Sequence, residues 1–493
     1  MAITFNNVSP TRRASAVFVE QEAVTRGSGV SVIPHKILTL GQYNTGFTPT
    51  DNVAQLIISK DDAWTRYGRG SMLSRMVEIQ LDNSGGVPVY AMPLADDGGA
   101  VTATGTIVVV GTASAAGTLA VYVEGKKISV AVAALDDATA IGDAIEAAVN
   151  ADLDLPVTAA NAVGTVTFTA RWGGASGNQI DLSINLADSD EIPAGITSVT
   201  VTNMGDVVAG ATNPVLTTAL AGLGNTWYTE ICNPYIDATS LTAMEAAGDD
   251  RDDPGVKRQF TGIVGYTDTY ANFLTALGSR NSQWTTYIPV HGSVSSPYMI
   301  AAASSAVWAD KQQTNPGRPV KTLKIPGVIS ATGNDLTYSQ RDAAVIAGGS
   351  YTVNREDGTV QFGDVCTTRT TEDGGGVTED WQFAVIIPNL QFKIYSAEQK
   401  FLGTPYDRGV VVSDGPGVKP TYAVTPNMVK GDAIKLVDAW IEMGLSTNRS
   451  EIIDNIVSEI NGSNPGRIDL LIPDVASAGL RIVAVKLEWG FVS

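Results

Sequence analysis

The residues best suited to chemistry in this sequence are few, and their spacing does not assemble a reaction centre. Histidine occurs only at His35 and His291, and neither has a second His or Cys at the spacing of a metal site. Ser293 and Asp268 lie near His291 in the sequence, and these are the residue types of a hydrolytic relay. No Gly-x-Ser-x-Gly turn presents the serine, however. We therefore expect no catalytic residue and no metal site, and we interpret His291 as a structural residue at the end of a strand.

Three further motifs could bind ions, but none has the spacing that such sites need. Gly125-Lys126 lacks the earlier glycine and the following Ser or Thr of a phosphate loop. Gly68-Arg69-Gly70 could seat an anion before a helix capped by Ser71, but a tight turn is the simpler interpretation. An acidic run lacks the alternating spacing and central glycine of a calcium loop, and it is formed by Asp249, Asp250, Asp252 and Asp253. We expect a solvated loop there or a patch that meets basic residues of a neighbour, and no cofactor site in the chain.

Composition indicates a globular, multidomain protein whose partners are proteins. The 493 residues are 44% hydrophobic, which is enough for about three folded domains. A net charge of −19 disfavours binding to nucleic acid or to anionic membranes. No run approaches a membrane span, and the opening MAITFNNVSPTRR lacks the apolar core of a secretory signal, so we expect folding in a cytoplasm. Cys232 and Cys366 stand far apart, which favours buried reduced thiols, with a disulfide between them as the alternative.

Strand and helix patterns alternate on both sides of a β-rich segment, which predicts one α/β domain split by an insertion. Before the segment, apolar runs at Ile37–Leu40 and Val87–Ala91 predict strands on either side of two helices, which Ser59 and Ser71 are expected to cap. After it, three strand–helix units follow, with strands at Trp227–Cys232, Phe260–Val264 and Trp284–Val290. Successive units of this kind imply a mainly parallel sheet covered on both faces. We assign residues 26–98 and 211–373 to this discontinuous domain.

The segment between these parts, residues 99–210, changes abruptly to Ala, Val, Thr and Gly and predicts a small β-rich domain. Its alternating runs are spaced like the strands of a sandwich or barrel: Gly105–Val110, Thr118–Val123, Lys127–Val132, Thr165–Ala170 and Ile180–Ile184. One helix begins after Asp136 and Asp137. The segment has twelve acidic and three basic residues, so we expect an outer module that faces solvent.

The residues from 374 to 480 predict an α+β C-terminal domain, which makes the whole chain α/β plus β and multidomain. We predict helices near Trp381–Leu402 and from Thr425-Pro426, a third apolar helix face from Ile452 to Ile460, and closing strands at Arg467–Ile472 and Arg481–Trp489. A hairpin that turns at Asp357-Gly358 precedes this domain. Basic residues concentrate in this domain and near the N-terminus, and they could face an acidic partner: Arg12, Arg13, Lys393, Lys400, Arg408, Lys419, Lys430 and Lys435.

Both ends of the chain predict extended arms. The C-terminal arm, residues 481–493, has a period of two, with one face formed by Val483, Val485, Leu487, Trp489 and Phe491. The N-terminal arm, residues 1–25, contains short apolar runs with Ile3, Phe5, Val17, Phe18 and Val19. We interpret both arms as strands that pair with neighbouring subunits. Pairing within their own domain is the alternative.

Four stretches, in this order and spacing, span the chain from end to end. They are ITFNNVSP at the start, AGTLAVYVEGKKISVAV with DLPVTAA and RWGGASGNQIDL in the insertion, the helix VTPNMVKGDAIKLVDAWIEMGL, and NPGRIDLLIPDVASAGLRIVAVKLEWGF at the end. In these stretches the chain resembles the tail sheath proteins of contractile-tailed bacteriophages, in the Mu-like branch.

The resemblance implies a structural subunit and no enzyme. It implies hexameric rings stacked helically around a tail tube, arms that add strands to the C-terminal domain of an adjacent subunit, and a contraction that drives the tube through the host envelope. The implied partners are further copies of the chain, the tail tube protein, and baseplate and tail terminator proteins, with no nucleic acid and no membrane insertion. The implied location is the virion tail, after assembly in the host cytoplasm. Because the family places the C-terminal domain innermost, Lys430 and Lys435 are candidates for facing the tube.

Two alternatives stay open. The first is the sheath of a phage-derived contractile bacteriocin or secretion system, which would use the same kind of subunit. The second is a surface adhesin that binds its ligand through the β-rich insertion, although the opening residues do not form a secretory signal.

Overall fold

The computed structural model describes residues 33–331 and 333–489. The first elements are β1 (Ile37–Gln42), β2 (Gln55–Ile57), α1 (Lys60–Tyr67), α2 (Met72–Asn83) and β3 (Val89–Leu94). Both helices begin at serine caps, as predicted: the Ser59 hydroxyl accepts a hydrogen bond from the Asp62 amide, and the Ser71 hydroxyl accepts one from the Ser74 amide. Every residue of β1 is buried, so this strand lies inside the sheet.

Seven strands and one helix form the insertion: β4 (Thr102–Gly111), β5 (Gly117–Val123), β6 (Lys126–Val132), α3 (Ala138–Ala151), β7 (Val157–Ala162), β8 (Thr165–Gly173), β9 (Leu182–Ile184) and β10 (Ile196–Thr202). They make two antiparallel sheets, ordered β10-β4-β8-β7 and β6-β5-β9. All five predicted strands and the helix after Asp137 are present. The pattern missed β7 and β10, because alanine and asparagine in β7 and a largely half-exposed β10 weaken the apolar alternation.

The next elements complete the α/β part of the chain: α4 (Leu216–Ala221), β11 (Glu230–Asn233), α5 (Ala238–Asp252), β12 (Thr261–Tyr266), α6 (Tyr270–Gly278), β13 (Thr286–Pro289), α7 (Pro297–Thr314), α8 (Tyr338–Ile346), β14 (Thr352–Asn354) and β15 (Val360–Phe362). A six-stranded sheet has the order β13-β12-β11-β1-β3-β2 and is parallel except at β2, as predicted. Its central strand β1 pairs with strands from both sides of the insertion, since Ile37 lies opposite both Glu230 and Val89.

The insertion and the sheet share one hydrophobic core. Leu38, Met76 and Met92 of the α/β part belong to the same buried cluster as Val121 and Phe168 of the insertion. The insertion is therefore packed against the α/β part at one end, and its position on the outside of an assembly stays a prediction.

The last elements are α9 (Ile386–Leu402), β16 (Val410–Val411), β17 (Ala423–Val424), α10 (Pro426–Glu442), α11 (Arg449–Asp454), β18 (Val457–Ile460) and β19 (Ile468–Leu471). Helix α10 begins as predicted, with Pro426 in the first turn and the Thr425 hydroxyl accepting from the Met428 amide. The predicted helix face from Ile452 to Ile460 is wrong after Asp454. Residues 457–460 instead form β18, because they find a partner strand in β19 and β-branched residues suit a half-buried hairpin.

Candidate assembly surfaces

The residues of the suspected hydrolytic relay do not form one. The Nδ1 atom of His291 lies 2.6 Å from the backbone oxygen of Asp268, not from its carboxylate. The Ser293 hydroxyl donates to the Ile329 carbonyl at 2.7 Å. Burial lowers the pKa of His291 below its ordinary value, and the ring packs edge-on against Phe273. His291 is a packed side chain at the end of β13, so the geometry has no base positioned for a nucleophile.

The other suspected ion sites are occupied by contacts within the chain. The guanidinium of Arg69 pairs with Asp154, with Nη2 3.0 Å from Oδ2, and lies over the Trp64 ring. Asp249 accepts a hydrogen bond from the Trp284 indole at 2.7 Å, and Asp253 accepts one from the Gly255 amide. No group of three or more His, Cys, Asp or Glu residues within 33–331 and 333–489 could hold a metal ion.

Both cysteines are free and buried, as the favoured interpretation of the sequence predicted. Burial raises the pKa of Cys232 to about 12 and also raises that of Cys366. Neither thiol therefore has the thiolate character of a reactive cysteine.

Among the described helices, none combines the length and the hydropathy that crossing a bilayer requires.

The insertion contacts the sheet at the crevice in which an open α/β sheet commonly binds a ligand. Such ligands bind beyond the carboxyl ends of the strands, where the strand order reverses, which here is between β1 and β11. At the end of β1, the buried Gln42 amide donates to Asp96 and to the backbone oxygen of Gly173, each at 2.6 Å. The Tyr235 hydroxyl donates to the other end of the same amide at 3.1 Å. The place where the strand order reverses is thus a contact between the α/β part and the insertion.

The C-terminal segment exposes the apolar side chains that the sequence predicted to form one face of a strand. Val483, Val485 and Leu487 are 71%, 83% and 82% exposed, and Trp489 is 79% exposed. Residues 477–489 contain no strand in the structure, and the last β-bridge between described residues joins Ser446 to Ala476. The predicted closing strand at Arg481–Trp489 therefore does not form within the described part of the chain, although its alternating sequence suits a strand.

The root of this segment is held by the α/β part and by the start of the C-terminal domain. The Lys321 ammonium donates to the Arg481 carbonyl at 3.1 Å, and the Arg481 guanidinium lies over the Phe383 ring. A cleft of about 250 Å³ lies beside this root, and Pro319 and Ile386 contribute to its apolar wall. The anchored root fixes where the exposed residues leave the molecule.

The β18–β19 hairpin is a two-stranded sheet whose outer edges carry no further strand among the described residues. The hairpin packs on α10. Its opposite face exposes Val457 by 50% and Leu471 by 60%, and these two residues are cross-strand neighbours. Unpaired strand edges beside apolar side chains are the usual acceptors for an added strand.

The two lysines proposed to face the tube differ in their surroundings. Lys435 on α10 pairs with Asp432 at 2.8 Å and is itself 75% exposed at its side chain. Lys430, one turn earlier, is half-buried and makes no ion pair within the described ranges. Lys393 was predicted to face a partner, but it is buried and donates to Asp474 and to the Leu445 carbonyl. It is therefore a structural residue.

Several of the predicted arm residues lie outside the described residues. They are Ile3, Phe5, Val17, Phe18 and Val19 of the N-terminal arm, and Phe491 of the C-terminal arm. The assignment of these residues to contacts between subunits stays a prediction.

Known proteins match this chain in its middle and along its whole length. Residues 209–368 match the family model of the phage tail sheath protein central domain. The Mu-like prophage FluMu tail sheath protein of Haemophilus influenzae is 27% identical over 493 residues, which cover 99% of this chain and all of that protein. A sheath tail protein from Desulfitobacterium hafniense aligns with a TM-score of 0.49 and 11% identity, covering 94% of this chain and 97% of that one. The helical sheath of the anti-feeding prophage in its contracted state aligns with a TM-score of 0.48 and 14% identity, covering 96% and 99% of the two chains. Residues 209–368 thus match a phage tail sheath domain, and the chain is similar over almost its whole length to a Mu-like prophage tail sheath protein.

Proposed function

We propose that this protein is the subunit of a contractile phage tail sheath, which polymerises as stacked hexameric rings around the tail tube and contracts to drive the tube through the host envelope. The observation that carries the proposal is the relationship to a Mu-like tail sheath protein over the full length of both chains. A match that includes both ends fits a protein whose arms take part in assembly.

The surfaces of the described chain supply what such an assembly needs. The segment Ile482–Trp489 provides an exposed donor with alternating apolar side chains, and the β18–β19 hairpin provides an acceptor whose two edges carry no further strand among the described residues. Two edges can hold two added strands, which is the number of arms that the sequence predicts. We infer that residues 1–25 and 481–493 of neighbouring copies complete a sheet on this hairpin.

The proposal assigns a role to each domain of the chain. The α/β domain of residues 26–98 and 211–373 forms the body, residues 99–210 form the inserted domain, and residues 374–480 form the inner domain, with Lys430 and Lys435 towards the tube. The partners are further copies of the chain, the tube protein, and baseplate and tail terminator proteins. The subunit folds in the host cytoplasm and ends in the virion tail.

Electron microscopy of the purified protein tests the proposal. We expect rings with six-fold symmetry or tubes in negative stain, and longer tubes of uniform diameter when the tail tube protein of the same phage is present. Averaged cross-sections would give the number of subunits in a ring. A protein that stays monomeric in sedimentation at all concentrations, with and without tubes, would contradict the proposal.

A further inference from the structure

A turn of the insertion places a carboxylate in the interior of the protein. Glu124 and Gly125 are the two loop residues between β5 and β6, and their φ angles are 48° and 74°. Such hairpin turns normally contain Asn, Asp or Gly, because both positions need positive φ. Glu124 nevertheless stands there, and its side chain is only 2% exposed. A long acidic side chain that is both buried and held in an unfavourable backbone conformation points to a specific contact.

Three side chains of the α/β part satisfy this carboxylate. The Tyr298 hydroxyl donates to Oε1 of Glu124 at 2.7 Å. The Ser296 hydroxyl donates to the same oxygen, and Nη1 of Arg75 donates to Oε2. The same nitrogen of Arg75 also donates to the Tyr298 hydroxyl oxygen, so the three donors form a connected set.

The surroundings favour an anion at this point. Ser296 is the N-cap of α7, but its side chain does not cap the helix and instead faces Glu124. A carboxylate there also meets the positive end of the helix dipole. Burial alone would lower the pKa of Arg75, but the Glu124 carboxylate raises it above its ordinary value, so the guanidinium stays charged.

The recess fits the turn closely. A side chain at Gly125 would collide with Ile329 and Val294, and the Trp172 ring of β8 meets the Tyr298 ring edge-on at 5.6 Å. Among the described residues, the other ionic contact between the insertion and the α/β part joins Arg69 to Asp154, whose side chains are 41% and 33% exposed. Only the Glu124 contact of these two is enclosed.

We propose that Arg75, Ser296 and Tyr298 form a carboxylate-binding site whose ligand is the protein's own Glu124, and that this ligand seats the insertion on the α/β part of the chain. The assignment rests on the contacts within one chain and is independent of the sheath function. The Glu124–Gly125 turn then inserts into a recess of the α/β part. Loss of the Glu124 side chain should therefore loosen the whole β5–β6 hairpin.

Chemical rescue tests the assignment. Glu124→Gly removes the side chain but keeps a residue that accepts the positive φ, and it leaves space for propionate, which has the shape of the missing side chain. We expect a thermal midpoint lower by about 5 °C or more, and amide hydrogen exchange in residues 117–132 faster by about tenfold or more. Propionate should restore both values with saturation, whereas propionamide or sodium chloride at the same concentration should not.

Two controls separate the site from general effects. Asp154→Ala removes the exposed ionic contact and should leave the midpoint near that of the parent, without any response to propionate. Arg75→Met combined with Glu124→Gly should abolish the rescue. Equal effects of propionate and propionamide on Glu124→Gly would overturn the proposal.

If Glu124→Gly does not accumulate as folded protein, the neutral isostere Glu124→Gln takes its place. Glu124→Gln should lower the thermal midpoint and speed amide hydrogen exchange in the β5–β6 hairpin. Parental values for both quantities would overturn the proposal.

Discussion

Asp432 on α10 accepts hydrogen bonds or ion pairs from three side chains. Its carboxylate contacts the Tyr406 hydroxyl at 2.7 Å, the Lys435 ammonium at 2.8 Å and the Lys400 ammonium at 3.0 Å. Burial alone would raise the pKa of Asp432, but these hydrogen bonds lower it below its ordinary value of 3.8. The carboxylate therefore joins α9, the segment after it and α10.

Asp432→Asn should destabilise the protein by about 1–3 kcal/mol at neutral pH, because an amide loses the charge that both lysines pair with. The pKa of Asp432 is lower in the folded than in the unfolded protein. Its stabilising contribution is therefore present above pH 4 and is lost as the pH falls below 3.8 towards the folded value. Denaturant unfolding at pH 7 and at pH 3 checks this prediction, and the difference between variant and parent should shrink at pH 3.

The matched control for this prediction lies on the same helix. Asp438 pairs with Arg449 at the surface, where the two side chains are 44% and 56% exposed. Asp438→Asn should change the stability by less than about 1 kcal/mol, because exposed ion pairs contribute little. A loss for Asp438→Asn as large as that for Asp432→Asn would contradict the special role of the buried carboxylate.

Lys430 is the better of the two lysines for testing which surface faces the tube, because Lys435 pairs with Asp432 and Lys430 makes no ion pair within the described ranges. Lys430→Glu should weaken assembly on tubes at low ionic strength while leaving tube-free polymerisation unchanged, and added salt should narrow the difference from the parent. Lys435→Glu would also bring a carboxylate beside Asp432 and so disturb folding. Co-sedimentation with tubes over a range of salt concentrations measures the effect.

Charge reversal elsewhere gives the control for Lys430→Glu. Lys324 is 56% exposed and belongs to the α/β part, so Lys324→Glu should co-sediment with tubes as the parent does. If Lys430→Glu and Lys324→Glu behave alike at every ionic strength, the tube contacts another surface.

At the level of single residues, the sequence predicted what depends on local chemistry and missed what depends on distant partners. The caps at Ser59, Ser71 and Thr425 were predictable, because a cap and its helix are adjacent. Glu124 was missed, because its partner Tyr298 lies 174 residues away. A signal existed: a glutamate occupies a turn position that favours Asn or Gly.

At the level of elements, the exposed C-terminal segment gives the sharpest test of assembly by strand addition. Deleting residues 482–493 should leave a folded monomer with a thermal midpoint within about 3 °C of the parent, because the described residues removed are exposed and form no strand. The truncation keeps Arg481 and its contact with Phe383. We expect the truncated protein to form no tubes in negative stain, since the donor strand is absent.

Substitutions in the intact segment separate strand pairing from simple truncation. Leu487→Lys places a charge on the apolar face and should block polymers, whereas Lys486→Ala changes the opposite face and should allow them. Tubes from the truncated protein would exclude the C-terminal segment as a necessary connector. Unfolding of the truncated protein would instead support pairing within its own domain.

Elements with an apolar alternation or a clear cap were predictable, but β18 shows where the pattern fails. The apolar residues from Ile452 to Ile460 satisfy a helical spacing, yet only residues up to Asp454 are helical. Residues 457–460 form a strand because they pair with β19. The spacing of apolar residues within one short stretch of sequence does not show a pairing partner that lies outside that stretch.

At the level of the whole molecule, the shared core changes what removal of the insertion should do. Val101 and Ala211 exchange backbone hydrogen bonds where the chain enters and leaves the insertion, so joining Asp97 to Ala211 with a short glycine linker is geometrically simple. We still expect a thermal midpoint lower by about 5 °C or more, because the deletion uncovers part of the common core and removes the partners of Arg75 and Gln42.

Differential scanning calorimetry of the deletion protein measures this loss. A single cooperative transition at the midpoint of the parent would show that the insertion contributes nothing to the stability of the α/β part.

The parallel sheet could be predicted from the order of strands and helices. The contact of the insertion with the end of β1 could not, because the pattern of residues 99–210 gives no indication of which end packs against the sheet.

The position of β1 between β3 and β11 also sets the timing of folding during synthesis. Its partner β11 leaves the ribosome about 190 residues after it, which takes on the order of 10 to 40 s at ordinary rates of translation. For that time one edge of this fully buried strand has no neighbour. Because unpaired edges promote aggregation, translation through the insertion is the interval in which a nascent chain depends most on chaperones.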